Sequence, residues 1–327
     1  MNQSIENIVG HGYLHYLPKI DGLKEAINLY EGHPVPINDL MAWYAFDAMG
    51  EFAFNQSFNM VKTREWHSVI AQLNKSFKIQ GWLAPAVWAM RLTFTSAYIY
   101  AYLFPASHLN DWFAMNKFTE ELIDKRMKTD SDDSDISSWF IKEFEESSDR
   151  AGLTKRRNLL YGNSITLLVA GSDTTRPSLI ALWYFLALYP EHAEKIRSEI
   201  DMADTTDIDA LALLPHLNGF INESLRLLHP GPTLGSRKTP REGMTLDGTY
   251  IPGNVKILAP RYTISRLYQA ADLHVLIVAS AFEDPLSFIP ERWYSRPEMI
   301  KDKRAFAPFA NGEKNHKIVL FSTSTDI

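Results

Sequence analysis

The longest helical segment of the chain runs from Thr154 to about Tyr189, TKRRNLLYGNSITLLVAGSDTTRPSLIALWYFLALY. Thr154 is placed to cap its start, and Pro190 has no N–H with which to continue it. The centre of this apolar helix breaks several local rules together. Gly171 lowers helix stability, Thr174 and Thr175 crowd the preceding turn, and Pro177 cannot donate to the carbonyl of Asp173. An acid and an alcohol, Asp173 and Thr174, stand side by side at the disturbance. Two readings are open. One is a bent core helix whose polar side chains satisfy freed backbone groups; the other is a widened groove that holds a small ligand and passes protons through Thr174 and Asp173.

The flanking sequence predicts a mostly helical setting. Apolar and aromatic residues recur at helical spacing over Ile37–Phe54 and again over Asn110–Lys128, which closes on a basic end. Pro190 opens a further helix to about Asp201, and Asp209–Leu228 reads as one more, ended by His229-Pro230-Gly231-Pro232. From Ser236 to Pro260 short β-prone runs alternate with turn signals and predict a small hairpin sheet. The acidic run Asp130–Asp135 reads as a solvated loop. The fold class expected is therefore mainly α with a small β region. Length allows one large domain or two ordinary ones, with a helical core at about 37–230 and the β region at about 236–260.

Charge and cysteine usage remove whole classes of function. Lys and Arg number 33 against 39 Asp and Glu, a net charge of −6, which gives no support to a nucleic-acid binder, whose mark is a basic face. The cysteine count is zero, which excludes disulfides, thiolate metal sites and cysteine nucleophiles in this chain. Trp82–Phe104 is long enough to span a bilayer, but Arg91 near its middle and Pro85 near its start favour a buried or membrane-grazing helix pair. His11 and His15 stand four residues apart without an evident third ligand, and read as solvated surface.

Two charged motifs remain. Glu223 and Arg226 share one face of an apolar-flanked helix, as a surface pair or as a buried one that needs a third charged partner. Arg292, within Pro290-Glu291-Arg292-Trp293, could be that partner. Together with Ala170–Thr175 and the later Ala305–Gly312, these motifs in this order resemble those of the cytochrome P-450 family, haem-thiolate monooxygenases of the eukaryotic microsomal type. The resemblance covers most of Trp43 to Gly312. It implies haem as cofactor, an apolar small molecule as substrate, an NADPH-dependent reductase as partner and the endoplasmic reticulum membrane as location. It further implies that Asp173 and Thr174 handle protons beside a groove at Gly171, and that Arg237 pairs with a haem carboxylate. Glu223, Arg226 and Arg292 would form a structural ion triad.

Three departures from that pattern carry their own expectations. The family's N-terminal membrane anchor and early elements have no counterpart, so the resemblance implies a single, partial domain over 1–327 with an incomplete fold. An apolar insert at about 267–281 replaces a short link and resembles a translated intron or an erroneous exon boundary. The family's cysteine ligand falls at His316, at the start of a divergent tail over 313–327. Imidazole ligation would give globin- or peroxidase-like behaviour, since the thiolate is what favours O–O cleavage. The expectation is a chain inactive as a monooxygenase as it is written. The rival is a non-catalytic remnant or a helical scaffold without haem.

Overall fold

The computed structural model describes residues 18–74, 109–129, 135–146, 152–231, 237–246, 248–266 and 280–309. Trp82–Phe104, His11, His15, His316, the tail 313–327 and most of the insert 267–281 lie outside them. Among the helices are α1 (Ile37–Phe54), α2 (Met60–Thr63), α3 (Leu109–Met127), α4 (Ile136–Glu146), α5 (Leu153–Leu188), α6 (Pro190–Ile200), α7 (Ile208–Ala212), α8 (Pro215–Leu227) and α9 (Arg261–Ile264). The strands are β1 (Arg237–Lys238), β2 (Met244–Leu246), β3 (Thr249–Ile251) and β4 (Lys256–Ile257). Contacts group the chain into two compact units, 1–176 and 177–327, with the division inside α5.

In the first unit α1 is apolar on nearly every side, and Leu40, Met41, Trp43, Phe46 and Phe54 are all buried. A helix of that character belongs inside a core. Its single buried acid, Asp47, is 2% exposed and has a local task. Asp47 accepts the backbone N–H groups of Met60 at 3.1 Å and Val61 at 2.9 Å, which are orphan donors at the start of α2. Burial pushes the Asp47 pKa up, and the N–H groups of Val61 and Met60 pull against it. Asp47→Ala removes both acceptors and leaves two buried donors unpaired. A loss of about 1–3 kcal/mol follows, read as a lower urea midpoint, and Asp47→Asn recovers part of it through its one remaining oxygen.

The acidic run contains a correction to the solvated-loop reading. Asp135, its last residue, is 8% exposed and pairs with the equally buried guanidinium of Arg126 at the end of α3. It also accepts the backbone N–H of Ser138 at 2.8 Å, capping α4. A carboxylate in that position joins two helix ends and is withdrawn from water; residues 130–134 lie outside the described set.

In the second unit the aromatic core is Phe185, Phe220, Leu227 and Phe288. Phe185 and Phe288 stack with centroids 4.2 Å apart, and Tyr189 stacks on Phe288 at 5.2 Å. Such pairs add about 0.5–1.5 kcal/mol each beyond area burial. They hold the end of α5 against α8 and the segment leading into the turn Pro290–Trp293. The single helix expected over Asp209–Leu228 is two helices, α7 and α8, parted at Leu213 and Leu214. Pro215 is the cause: without an N–H it cannot extend α7, yet it suits the first turn of α8. Likewise α5 begins at Leu153, so Thr154 lies within the helix instead of capping it. The β region is two antiparallel pairs, β1 with β4 (Arg237 opposite Ile257) and the hairpin β2 with β3 (Met244 opposite Ile251). No helix among the described residues is long and apolar enough to cross a membrane.

Candidate functional site

Glu223 and Arg226 lie one turn apart on α8, and Arg292 reaches them from the turn Pro290–Trp293. All three side chains are wholly buried. Arg226 grips the Glu223 carboxylate with both prongs, Nε to Oε2 and Nη2 to Oε1, each at 2.8 Å. Arg292 Nε donates to Oε1 at 3.0 Å. The indole N–H of Trp293 donates to Oε2 at 3.0 Å, and the backbone N–H of Ile289 to Oε1 at 3.0 Å.

One carboxylate thus faces two guanidinium groups, and backbone carbonyls solvate the surplus positive charge. Arg226 donates to the carbonyls of Ser265 and Pro285 at 2.7 Å each and of Ser287 at 3.0 Å. Arg292 donates to Glu283 at 2.8 Å and Asp284 at 3.3 Å. Burial holds the Arg292 pKa below its ordinary value, with Glu223 opposing the shift. Nothing in this cluster is open to a substrate. It fixes the path of residues 283–293 against α8 and acts as architecture. Trp293 as a fifth donor is a contact that sequence spacing does not reveal, since indole donors carry no pattern.

The helix α5 stays helical through Pro177, across the division between the units. Gly171 and Ser172 turn toward α1. A Cβ on Gly171 would lie 2.0 Å from Met49 Cε, and the Ser172 hydroxyl donates to the Ala45 carbonyl at 3.4 Å. Glycine therefore lets two helices approach closely here. The hydroxyls of Thr174 and Thr175 donate one turn back, to Ala170 at 2.8 Å and Gly171 at 2.7 Å. This back-bonding occupies carbonyls in the turn before Pro177. Asp173 is half-buried, and burial raises its pKa while Arg176 draws it down.

Arg237 sits exposed on β1, near a cationic corner. His229 accepts the Gly231 N–H on Nδ1 at 2.8 Å, which puts its proton on Nε2, directed at the Pro308 carbonyl 2.8 Å away. Arg261 Nη1 lies 3.1 Å from that Nε2. Burial, and then the charge of Arg237, depress the Arg261 pKa. A corner of this kind attracts carboxylates.

The sequence model described as Cytochrome P450 matches residues 19–315. A cytochrome P450 monooxygenase of Aspergillus versicolor is 35% identical over 286 residues, 86% of this chain and 48% of the relative. The tryprostatin B 6-hydroxylase of Aspergillus fumigatus is 33% identical over 283 residues, 85% of this chain and 46% of the relative. A solved cytochrome P450 structure superposes with a TM-score of 0.69 at 18% identity, covering 93% of this chain and 63% of the other. The chain belongs to the cytochrome P450 family, with its mainly helical fold. It spans about half the length of the curated relatives it matches.

Haem is the cofactor that membership implies. By their charge Arg237 and Arg261 suit the carboxylates of such a group. The iron is another matter: the 327 residues hold no cysteine, so this chain offers no thiolate. By donor chemistry the residues present do not fit a haem-thiolate centre.

Proposed function

We propose that the chain carries the scaffold of a haem monooxygenase whose reaction inserts one oxygen atom into an apolar small molecule, and that as written it lacks the thiolate this reaction needs. Family membership supports the reaction class, and the similarity to an enzyme named for hydroxylating tryprostatin B supports a small organic substrate. The zero cysteine count carries the second half of the proposal. Electrons would come from an NADPH-dependent reductase, at the endoplasmic reticulum membrane.

Within this scaffold the residues divide by task. Asp173, its pKa raised by burial, suits the holding and release of a proton, and Thr174 beside it presents a hydroxyl on the same stretch of α5. Gly171 sets how closely α5 approaches α1 and so where that stretch lies. Arg237, with Arg261, would neutralise a carboxylate of the cofactor. Glu223, Arg226 and Arg292 hold the segment 283–293 in place and do not touch the reacting atoms.

Sequencing the mature transcript across Arg266–Phe282 and beyond Gly312 tests this reading. The expected result is a corrected reading frame with a shorter link in place of residues 267–281 and a cysteine codon at the position of His316. A transcript that encodes the present sequence throughout, from cells in which the protein oxygenates a substrate, overturns it.

A further inference from the structure

We propose that His192, His216 and Glu291 form a site for a divalent transition metal, suited to Zn²⁺, that ties α6, α8 and the turn Pro290–Trp293 together. The site is separate from the ion triad and owes nothing to the family's chemistry. His192 is 6% and His216 3% exposed, so both imidazoles are withdrawn from water. One ligating atom from each of the three residues lies within 4.8 Å of the others.

The two rings face each other through nitrogen. Nδ1 of His192 is 3.1 Å from Nε2 of His216. Zinc–nitrogen bonds of 2.0–2.1 Å at a tetrahedral angle put two ligand nitrogens about 3.3 Å apart, so the pair already stands near ligating distance. The far side of His216 supports the same orientation: Nδ1 lies 2.9 Å from the hydroxyl oxygen of Tyr294. With Nδ1–H donating to that oxygen, the Nε2 lone pair points at His192. Such second partners commonly orient metal-bound histidines. In the metal-free protein a proton bridges that gap; an ion about 2.0–2.1 Å from both nitrogens sits off the line that joins them, reached by a turn of the rings. A change of tautomer supplies the proton in the metal-free protein, and no net proton need be lost when the ion replaces it.

Glu291 closes the set. Lys195 Nζ donates to its Oε1 at 2.6 Å, and the second oxygen of a carboxylate can turn to the ion while that contact persists. Its side chain is 21% exposed, which provides a route in from solvent and room for water as a fourth ligand. Besides the two histidines themselves, the charges acting on the pair are Glu191, Glu199 and Glu291 against Lys195, a balance that favours a cation. Sequence spacing hides this site because its ligands are 24 and 75 residues apart (216 − 192 and 291 − 216).

The test titrates the full chain with Zn²⁺ by calorimetry and with Co²⁺ by visible absorption. The expected result is one equivalent of tightly bound Zn²⁺ and the intense Co²⁺ bands of a four-coordinate site. At a hundredfold excess over Kd, the thermal midpoint should rise by roughly 5 °C. His216→Phe abolishes both signals, and Glu291→Gln, which leaves the fold intact by circular dichroism, weakens Zn²⁺ binding at least tenfold. Absence of a saturable single equivalent, or binding of undiminished strength in Glu291→Gln, overturns the proposal.

Discussion

Glu223→Gln is expected to unfold the second unit. The substitution keeps the size of the side chain and removes only its charge and one acceptor oxygen. What remains is a pair of guanidinium groups, Arg226 and Arg292, wholly buried with no anion between them. Deleting one partner of a buried ion pair costs about 3–5 kcal/mol, because the charge left behind has lost both water and its counterion. Here a single deletion strands two such charges, and typical domains have only about 5–15 kcal/mol in hand. The Trp293 indole, which donates to Glu223 Oε2, is a built-in reporter. Denaturant titration followed by tryptophan emission and circular dichroism should show loss of the cooperative transition, or a midpoint displaced to very low denaturant. Arg226→Lys is expected to be nearly as damaging. An ammonium cannot make the two-pronged contact with the carboxylate and also reach the carbonyls of Ser265, Pro285 and Ser287. A variant Glu223→Gln that unfolds like the parent would remove the triad from its architectural place.

Gly219→Ala is the second large effect, and it acts by volume alone. Gly219 lies on α8 where the turn Pro290–Trp293 crosses it, and an added Cβ would sit 2.7 Å from the carbonyl oxygen of Pro290 and 3.2 Å from the Tyr294 ring. The nearest atom is backbone, so no rotamer change relieves the contact. Either the turn lifts from α8 or the helix shifts, and in both cases Arg292 moves away from Glu223. Overpacking of a close interface costs about 1–3 kcal/mol. On an exposed helix face the same change would stabilise, since alanine favours helix over glycine by about 1 kcal/mol. Thermal unfolding therefore reads the sign directly: a lower midpoint is expected. A raised midpoint would mean the interface accommodates a methyl group. The contrasting position is Gly171, whose nearest neighbour is the flexible Met49 side chain, so Gly171→Ala is expected to be milder.

How much of this was legible in sequence depended on the range of the interaction. The limits of α1, α3 and α6 follow from apolar spacing and from Pro190, signals that act within a few residues, and the helices end within a residue or so of where those signals place them. The parting of α7 from α8 has an equally local cause in Pro215, but the apolar pattern over Asp209–Leu228 runs straight through it. Asp135 was unreadable for a different reason. In a run of acids nothing local distinguishes the residue that meets Arg126 from those beside it, and only the fold brings α3 and α4 together. Glu223 with Arg226 was visible as a helix-face pair. The arrival of Trp293 and the Ile289 N–H depends on a turn some seventy residues on, whose course depends in turn on the aromatic core around Phe288. The histidine pair leaves no periodic trace at all.

A chain without a cysteine sulfur ligand cannot form a haem-thiolate centre. The purified chain should be given haemin, reduced, and exposed to carbon monoxide beside an intact member of the family. The intact protein shows the red-shifted Soret band of a thiolate-ligated ferrous carbonyl; the prediction is that this chain shows none of it. That band, arising from the unaltered 327 residues, would contradict the account.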